Sequence, residues 1–269
     1  MIAVSLRPGS HGAEVQQLQE RLQRAGYQVA TTNVYDDATV AAVMALQADK
    51  GLVVDGLFGP KSFMALMGSI QPKHLAAADL VRAADQLGVN LASVRAVNEV
   101  ESRGQGFLPD GRPVILFERH VFYKQLQEHG IDPEPIAAKY PNICAQERGG
   151  YHGGAAEYIR LETAKQIHLA AAYESASWGA FQVMGYHWSA LGYASASDFV
   201  RLMQQDEASH LDAFVRFIAH EAPLLAALKA RKWPAFAKGY NGPAYAANLY
   251  DVKLAQAYAK YSALDEVAA

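Results

Sequence analysis

Cysteine occurs once in this chain of 269 residues, at Cys144, and that scarcity excludes an intramolecular disulfide framework. A large excess of charge of either sign is also missing. Lys and Arg number 24 against 27 Asp and Glu, a formal net charge of −3, so there is no basic footprint for nucleic acid and little to draw the chain to an anionic surface. Long apolar runs are missing, and none would span a bilayer. The opening stretch MIAVSLRPGSHG lacks a basic segment followed by an apolar run and a cleavage site. That predicts synthesis in the cytosol without a Sec-type signal, no stable membrane insertion, no nucleic-acid partner and a monomer.

What remains is ordinary globular material. Apolar residues make up 51% of the chain, enough for a real core, and the length suits one small plus one medium domain. The first seventy residues hold a weak internal repeat. Val34-Tyr35-Asp36-Asp37-Ala38-Thr39 and Leu57-Phe58-Gly59-Pro60-Lys61-Ser62 each read as an apolar pair, a tight turn and a hydroxyl residue leading into a short helix. Asp37 or Thr39 can cap the first of these helices, and Pro60 suits the first turn of the second. A helix from about Glu14 to Ala25 precedes them, with Val15, Leu18 and Leu22 on one stripe, and Gly26 ends it. Two copies imply two halves of one small helical core. The linker is read at 71–77, around Pro72, which gives a first domain of 1–70 and a second of 78–269.

The second domain is predicted to be mainly helical. Leu80, Val81, Ala84 and Leu87 form a stripe ending at Gly88; a helix starting near Asn90 carries Leu91, Val94, Val97 and Val100. Later helices are expected over about 197–220 and 245–263, the last with Tyr250, Leu254, Ala257 and Tyr261 on one face. Residues 103–117 and 140–154, rich in Gly and Pro, read as loops or a short β-hairpin where sites gather.

Glycosidic cleavage needs one carboxyl group kept protonated and usually a second kept ionised. Glu101 suits the first role, because it lies four residues after Val97 and seven after Val94, on their side of the helix. Glu99 points away and reads as solvated. Gly104 and Gly106 would break the helix there and leave the carboxyl at the floor of a cleft. The competing reading makes Glu101 a cap or an ion-pair partner of Arg103 or Arg119. For the second carboxylate, Glu118 follows the short apolar strand Val114–Phe117, with Asp110 as its rival. Glu118 could equally pair with Arg119 or Arg112. A separation of roughly 6.5–9.5 Å between the carboxyls would imply inversion, the expected outcome, and about 5 Å retention.

Among the aromatics, Trp178, Phe181, Tyr186, Trp188, Tyr193 and Tyr240 are expected to be mostly core, with one or two touching sugar. Gln182 and Asn241 are better placed by chemistry to meet hydroxyl and N-acetyl groups. His152, His168 and His187, with Cys144, lack the tight spacing of a metal-binding helix or knuckle. No metal and no cofactor are expected, and these histidines read as surface or packing residues.

Two resemblances bear on these readings. Leu6-Arg7-Pro8-Gly9-Ser10-His11-Gly12, Leu18-Gln19, Gly26-Tyr27, Gly51-Leu52-Val53-Val54-Asp55-Gly56 and Phe58-Gly59-Pro60 resemble the type 1 peptidoglycan-binding domain, a three-helix module, over about residues 5–67. Leu46 beside Gln47, and Ser62, depart mildly from its pattern. The stretches 98–108 and 110–120, then Ser177-Trp178-Gly179-Ala180-Phe181-Gln182-Val183 and Tyr240-Asn241-Gly242-Pro243, resemble the N-acetylmuramidase family of modular phage endolysins over about residues 78–262. The resemblance implies a lysozyme-like α-rich fold, Glu101 with Ser102 at the acid position, and glycan contacts from Gly179, Gln182, Tyr240 and Asn241. It also implies peptidoglycan as the substrate, cut between N-acetylmuramic acid and N-acetylglucosamine, with release from the host cytoplasm through a holin-type lesion. A lytic transglycosylase of similar fold and a non-catalytic wall-binding protein remain the alternatives.

Overall fold

The computed structural model describes residues 5–69, 73–102 and 105–268. Pro72 of the expected linker, and Arg103 and Gly104 after the expected acid, lie outside the described residues. The chain packs as two units, Met1–Val81 and Arg82–Ala269. The expected linker precedes that division, and its last residue is fastened to the first unit: the Ala77 N–H donates to the Gly51 carbonyl at 3.0 Å, and Leu52 bridges Ala76.

The first unit is built from α1 (Ala13–Arg24), α2 (Asp37–Asp49) and α3 (Pro60–Leu66). Val15, Leu18 and Leu22 of α1 are fully buried with Tyr35, Val43, Leu46 and Phe58. The internal repeat has a physical cause. Gln19 in α1 and Gln47 in α2 are buried amides, each turned onto the segment that leads to the next helix. Gln19 accepts from the N–H groups of Thr32 and Asn33 and donates to the Val34 carbonyl and the Thr39 hydroxyl. Gln47 accepts from Asp55 and Gly56 N–H and donates to the Leu57 carbonyl and the Ser62 hydroxyl. The repeated hydroxyl residue is thus the partner of a repeated amide. Pro60 stands at the start of α3, as expected. The cap of α2 differs from expectation: Asp36 accepts from Thr39 N–H at 2.9 Å, because its extended backbone lets the carboxylate fold over the first turn.

The division falls within the next helix, and the second unit holds the helices that follow and a small sheet. Helix α4 (Ala77–Leu87) leads to α5 (Leu91–Glu101), capped by Asn90, whose side chain accepts from Ser93 N–H at 3.0 Å. Leu80, Ala84 and Leu87 are buried, but Val81 is exposed and Ala83 takes its place in the stripe. Strand β1 (Ile115–Phe117) precedes α6 (Arg119–Glu128), α7 (Glu134–Lys139), α8 (Glu157–Ile167) and α9 (Leu169–Glu174). A hairpin of β2 (Ala176–Trp178) and β3 (Val183–Met184) then joins β1 in an antiparallel sheet of order β1-β2-β3, with Ile115 opposite Trp178 and Phe117 opposite Ala176. The chain closes with α10 (Ala196–Met203), α11 (Glu207–His220), α12 (Ala222–Lys229), α13 (Trp233–Asn241) and α14 (Tyr250–Ala268).

Two expected helices are interrupted. The stretch 197–220 is two helices, because Asp206 caps a new one by accepting from Ser209 N–H at 2.7 Å. The segment before Tyr250 is a 3₁₀ turn, Pro243–Asn248, which ends at Leu249 in the left-handed region, φ 54°. The stripe on α14 is as expected: Leu254, Ala257 and Tyr261 are buried, with Ala257 and Tyr261 packed against Ala92 and Ala96 of α5. This holds α5 in place with Glu101 as its last residue.

Candidate active site

A cleft of about 420 Å³ opens at the end of α5. Glu101, Ser102, Gln182, Tyr240 and Asn241 line it together, although they come from three separated parts of the sequence. Ser102 is extended, with ψ 143°, so the chain turns out of the helix immediately after the glutamate. Glu101 is half-buried against Val100, Phe181 and Phe217. Burial pushes its pKa up to about 7, against a hydrogen bond that favours the charged form. That bond comes from Asn241 at the end of α13, whose Nδ2 donates to Glu101 Oε1 at 3.0 Å. A carboxyl group in this setting holds a proton near neutral pH and can release it to a departing oxygen.

The opposite wall is the turn between β2 and β3. Gln182 there has φ 54°, an uncommon conformation for a side-chain-bearing residue. Its own amide braces the turn: Nε2 donates to the Gly179 carbonyl at 2.8 Å and the Val114 carbonyl at 3.3 Å, and Oε1 accepts from the Ser177 hydroxyl at 2.9 Å. Both amide protons are spent inside the protein, which leaves one acceptor lone pair for a ligand. The Tyr240 hydroxyl donates to the Phe181 carbonyl at 2.7 Å, tying α13 to the same turn. Its ring packs on Phe214 and Phe217.

Glu118 sits apart from this group. It is not among the residues lining the cleft. Its N–H donates to the Ser175 carbonyl, whereas Gly179, at the turn, pairs with Val114. Four residues of strand separate the two points, roughly 13 Å at about 3.3 Å per residue. The carboxylate is buried and already engaged: the Tyr151 hydroxyl donates to it at 2.7 Å, Arg148 at 3.2 Å, and His120 Nδ1 lies 3.2 Å away. Asp110 is exposed on its loop, where the guanidinium of Arg112 holds its carboxyl below the usual range. Among the described residues that line the cleft, Glu101 is the one carboxylate.

Other expected roles resolve the same way. Arg119 does not reach Glu101; its guanidinium donates to the carbonyls of Pro141, Glu147 and Arg148. Glu99, read as solvated, accepts from Lys260 and the Tyr261 hydroxyl of α14. Trp178, Phe181 and Tyr193 are buried, and the Trp188 indole donates to Glu174. Tyr186, 42% exposed, and Tyr240 are the two tyrosines among the expected aromatics that line the cleft. His187, read as a surface or packing residue, lines the cleft between Tyr186 and Phe217, and burial lowers its pKa. Phe217 and Tyr250 also reach the cleft unannounced by any motif, since helix packing alone brings them there.

Comparison with known proteins agrees with this geometry. Residues 90–262 match the N-acetylmuramidase family, and residues 11–66 match a putative peptidoglycan-binding domain. The crystal structure of Burkholderia AP3 phage endolysin superposes with a TM-score of 0.93 at 55% identity, covering 96% of this chain and 99% of that one. Two Bacillus licheniformis proteins match over a short part of the chain. N-acetylmuramoyl-L-alanine amidase CwlL is 41% identical over 64 residues, 23% of this chain, and a probable N-acetylmuramoyl-L-alanine amidase is 38% identical over 66 residues, also 23%. The chain spans 18% and 19% of their lengths. With a protonatable glutamate in a cleft, behind a module of this kind, the chain belongs to the N-acetylmuramidase family and is a peptidoglycan hydrolase of the modular phage-endolysin type.

Proposed function

We propose that the chain is a muramidase that hydrolyses the bond between N-acetylmuramic acid and N-acetylglucosamine, with Glu101 as the general acid. The observation that carries this reading is the half-buried glutamate at the end of α5, with Asn241 fixing one oxygen. Held by Asn241 at Oε1, the carboxyl presents its other oxygen, protonated, to the leaving sugar. Ser102, Asn241 and the hydroxyl of Tyr240 offer polar contacts to the glycan, and the free lone pair of Gln182 adds one acceptor. Residues 1–70 serve as the wall-binding module and 78–269 as the catalytic domain. Among the described residues, no helix is long and apolar enough to cross a membrane. The likeness to a phage endolysin supports synthesis in the host cytoplasm and access to the wall through a lesion made by another protein.

The position of Glu118 supports a holding role for that residue. It fastens the loop carrying Arg148 and Tyr151 to the start of α6. Glu118→Gln is therefore expected to keep kcat within about tenfold of wild type; a base would lose ~10²-fold or more. Digestion of purified peptidoglycan followed by mass measurement of the fragments tests the reaction itself. Reducing muramic ends that have gained one water are expected. Anhydro ends, lighter by one water, would overturn hydrolysis in favour of a transglycosylase, and Glu101→Gln that still digests the wall would overturn the acid assignment.

A further inference from the structure

Helix α11 carries two buried polar side chains that the chemistry above leaves unused. Glu207 and His210, both 1% exposed, stand three residues apart on one face. The Gly106 N–H donates to Glu207 Oε1 at 2.8 Å. The Ala180 N–H donates to His210 Nδ1 at 3.2 Å, and His210 Nε2 lies 2.7 Å from the Met203 carbonyl. A carbonyl can only accept, so the proton sits on Nε2 and leaves Nδ1 as the acceptor that Ala180 needs. The ring also stacks on Phe107, centroids 4.9 Å apart. Two glycines permit this approach. A Cβ at Gly106 would stand 2.4 Å from His210, and one at Gly179 2.5 Å from it.

The segments gripped in this way are those on either side of the acid. Gly106 and Phe107 come shortly after Glu101 and Ser102 in the chain. Gly179 and Ala180 begin the turn whose Phe181 carbonyl receives Tyr240 and whose Gln182 lines the cleft. We propose that Glu207 and His210 act as one clamp, holding the segment behind the catalytic glutamate against the β2–β3 turn and so setting the width of the cleft. They are positioning residues for glycan cleavage, and this role rests on the assignment of Glu101 as the acid. A charged acceptor on a backbone N–H makes a strong, directional contact. A displacement of about 1 Å at the reacting groups can cost ~10²-fold in rate. Widening the cleft would also admit water to Glu101 and let its proton leave at lower pH. The other titratable groups lining the cleft are His187, Tyr186, Tyr240 and Tyr250.

The test uses the full chain with Glu207→Ala, His210→Ala, Glu207→Gln and Gly106→Ala, assayed on purified peptidoglycan. For the two clamp alanine variants, kcat is expected to fall about 10- to 100-fold with KM within about threefold, and the alkaline limb of the pH–rate profile to move to lower pH. Glu207→Gln keeps a carbonyl to receive Gly106 N–H and is expected to recover kcat to within about fivefold. Hydrogen exchange should quicken over residues 105–107 and 179–182, a readout that does not depend on Glu101 being the acid. Folded alanine variants with wild-type kcat, an unmoved alkaline limb and unchanged exchange in those segments would overturn the clamp. Should the alanine variants fail to fold, Gly106→Ala decides. It keeps both polar groups and forces the loop off the ring, so a tenfold or greater loss of kcat supports the clamp and a wild-type kcat and limb overturns it.

Discussion

The two units of this chain solve the same problem with different chemistry. Each must hold irregular segments whose backbone N–H groups have no helix or sheet to pair with. The first uses neutral amides, Gln19 and Gln47, fully buried and saturated with partners. The second uses carboxylates: Glu157 and Glu207, both buried, accept from backbone N–H groups. Glu157 alone accepts from Phe117, His152 and Gly153 N–H and from the Arg160 guanidinium. An amide is indifferent to pH, whereas a buried carboxylate ties the fold to its ionisation. On the function proposed above, the unit that binds can be passive, and the unit that moves protons has its loops and its acid built from the same functional group.

The largest expected effect separates the two units outright. Glu101→Gln should lower kcat by about 10²- to 10⁴-fold while sedimentation with insoluble peptidoglycan, assigned to the first unit, is unchanged. The wild-type rate should fall as pH rises through about 7, because only the protonated glutamate donates. Stability should fall over the same rise in pH. A carboxyl whose folded pKa is raised contributes stability below its unfolded pKa that is lost as pH rises through the folded one. Removing the charge at pH 8 should therefore stabilise the protein by on the order of 3 kcal/mol in urea melts, with no gain at pH 4. An identical melt for variant and wild type at pH 8 would show that Glu101 is solvated.

Breaking a holding carboxylate comes next. Arg160→Met leaves Glu157 buried without its cation, and about 3–5 kcal/mol should be lost in urea unfolding at pH 7. Although burial pushes its pKa up, the three N–H donors and Arg160 hold Glu157 below the usual carboxylate range. Its contribution is present above the unfolded pKa and lost as pH falls through the folded one. The second unit should accordingly weaken in acid. Gln19→Leu is the counterpart in the first unit. It strips the acceptor from Thr32 and Asn33 N–H, for a loss of about 2–3 kcal/mol that stays flat from pH 4 to 8. A pH-dependent loss there would break the contrast, and exchange rates over residues 13–66 would assign the effect to this unit.

These pairings mark where sequence reading succeeds and stops. Periodicity placed Glu101 on the side of Val94 and Val97, because a helix fixes direction from spacing alone. It also exposed the repeat around Thr39 and Ser62, though not the glutamines that cause it, whose partners lie 20 and 15 residues away in sequence. Glu118, Glu157 and Glu207 are indistinguishable in one dimension. Each becomes a loop holder only when strand register or helix packing brings its donors to it, backbone N–H groups for Glu157 and Glu207, and Arg148 and Tyr151 for Glu118. His187 entered the cleft for the same reason, carried by the segment after β3 onto Phe217 of α11. The break at Gln204-Gln205-Asp206 contains no Gly or Pro; its signal was the Asp-x-x-Ser spacing of a cap, readable only once a helix start was sought there.

The smallest expected effect probes a place where the first unit does lean on a carboxylate. Asp36 caps α2, and its hydrogen bonds from the Thr39 side chain and backbone hold its carboxyl below the usual range. Asp36→Ala should cost about 1 kcal/mol at pH 7. The depressed pKa places that stabilisation above the unfolded value, so the difference from wild type should shrink as pH falls through the folded one. Asp37, exposed in the first turn of the same helix, offers only its charge to the helix dipole, and Asp37→Ala should cost about 0.3–0.5 kcal/mol. The order of the two separates a cap that bonds a specific N–H from a charge that merely sits near several. A larger loss at Asp37 would mean that the helix start lies one residue later, where the sequence alone would have placed it.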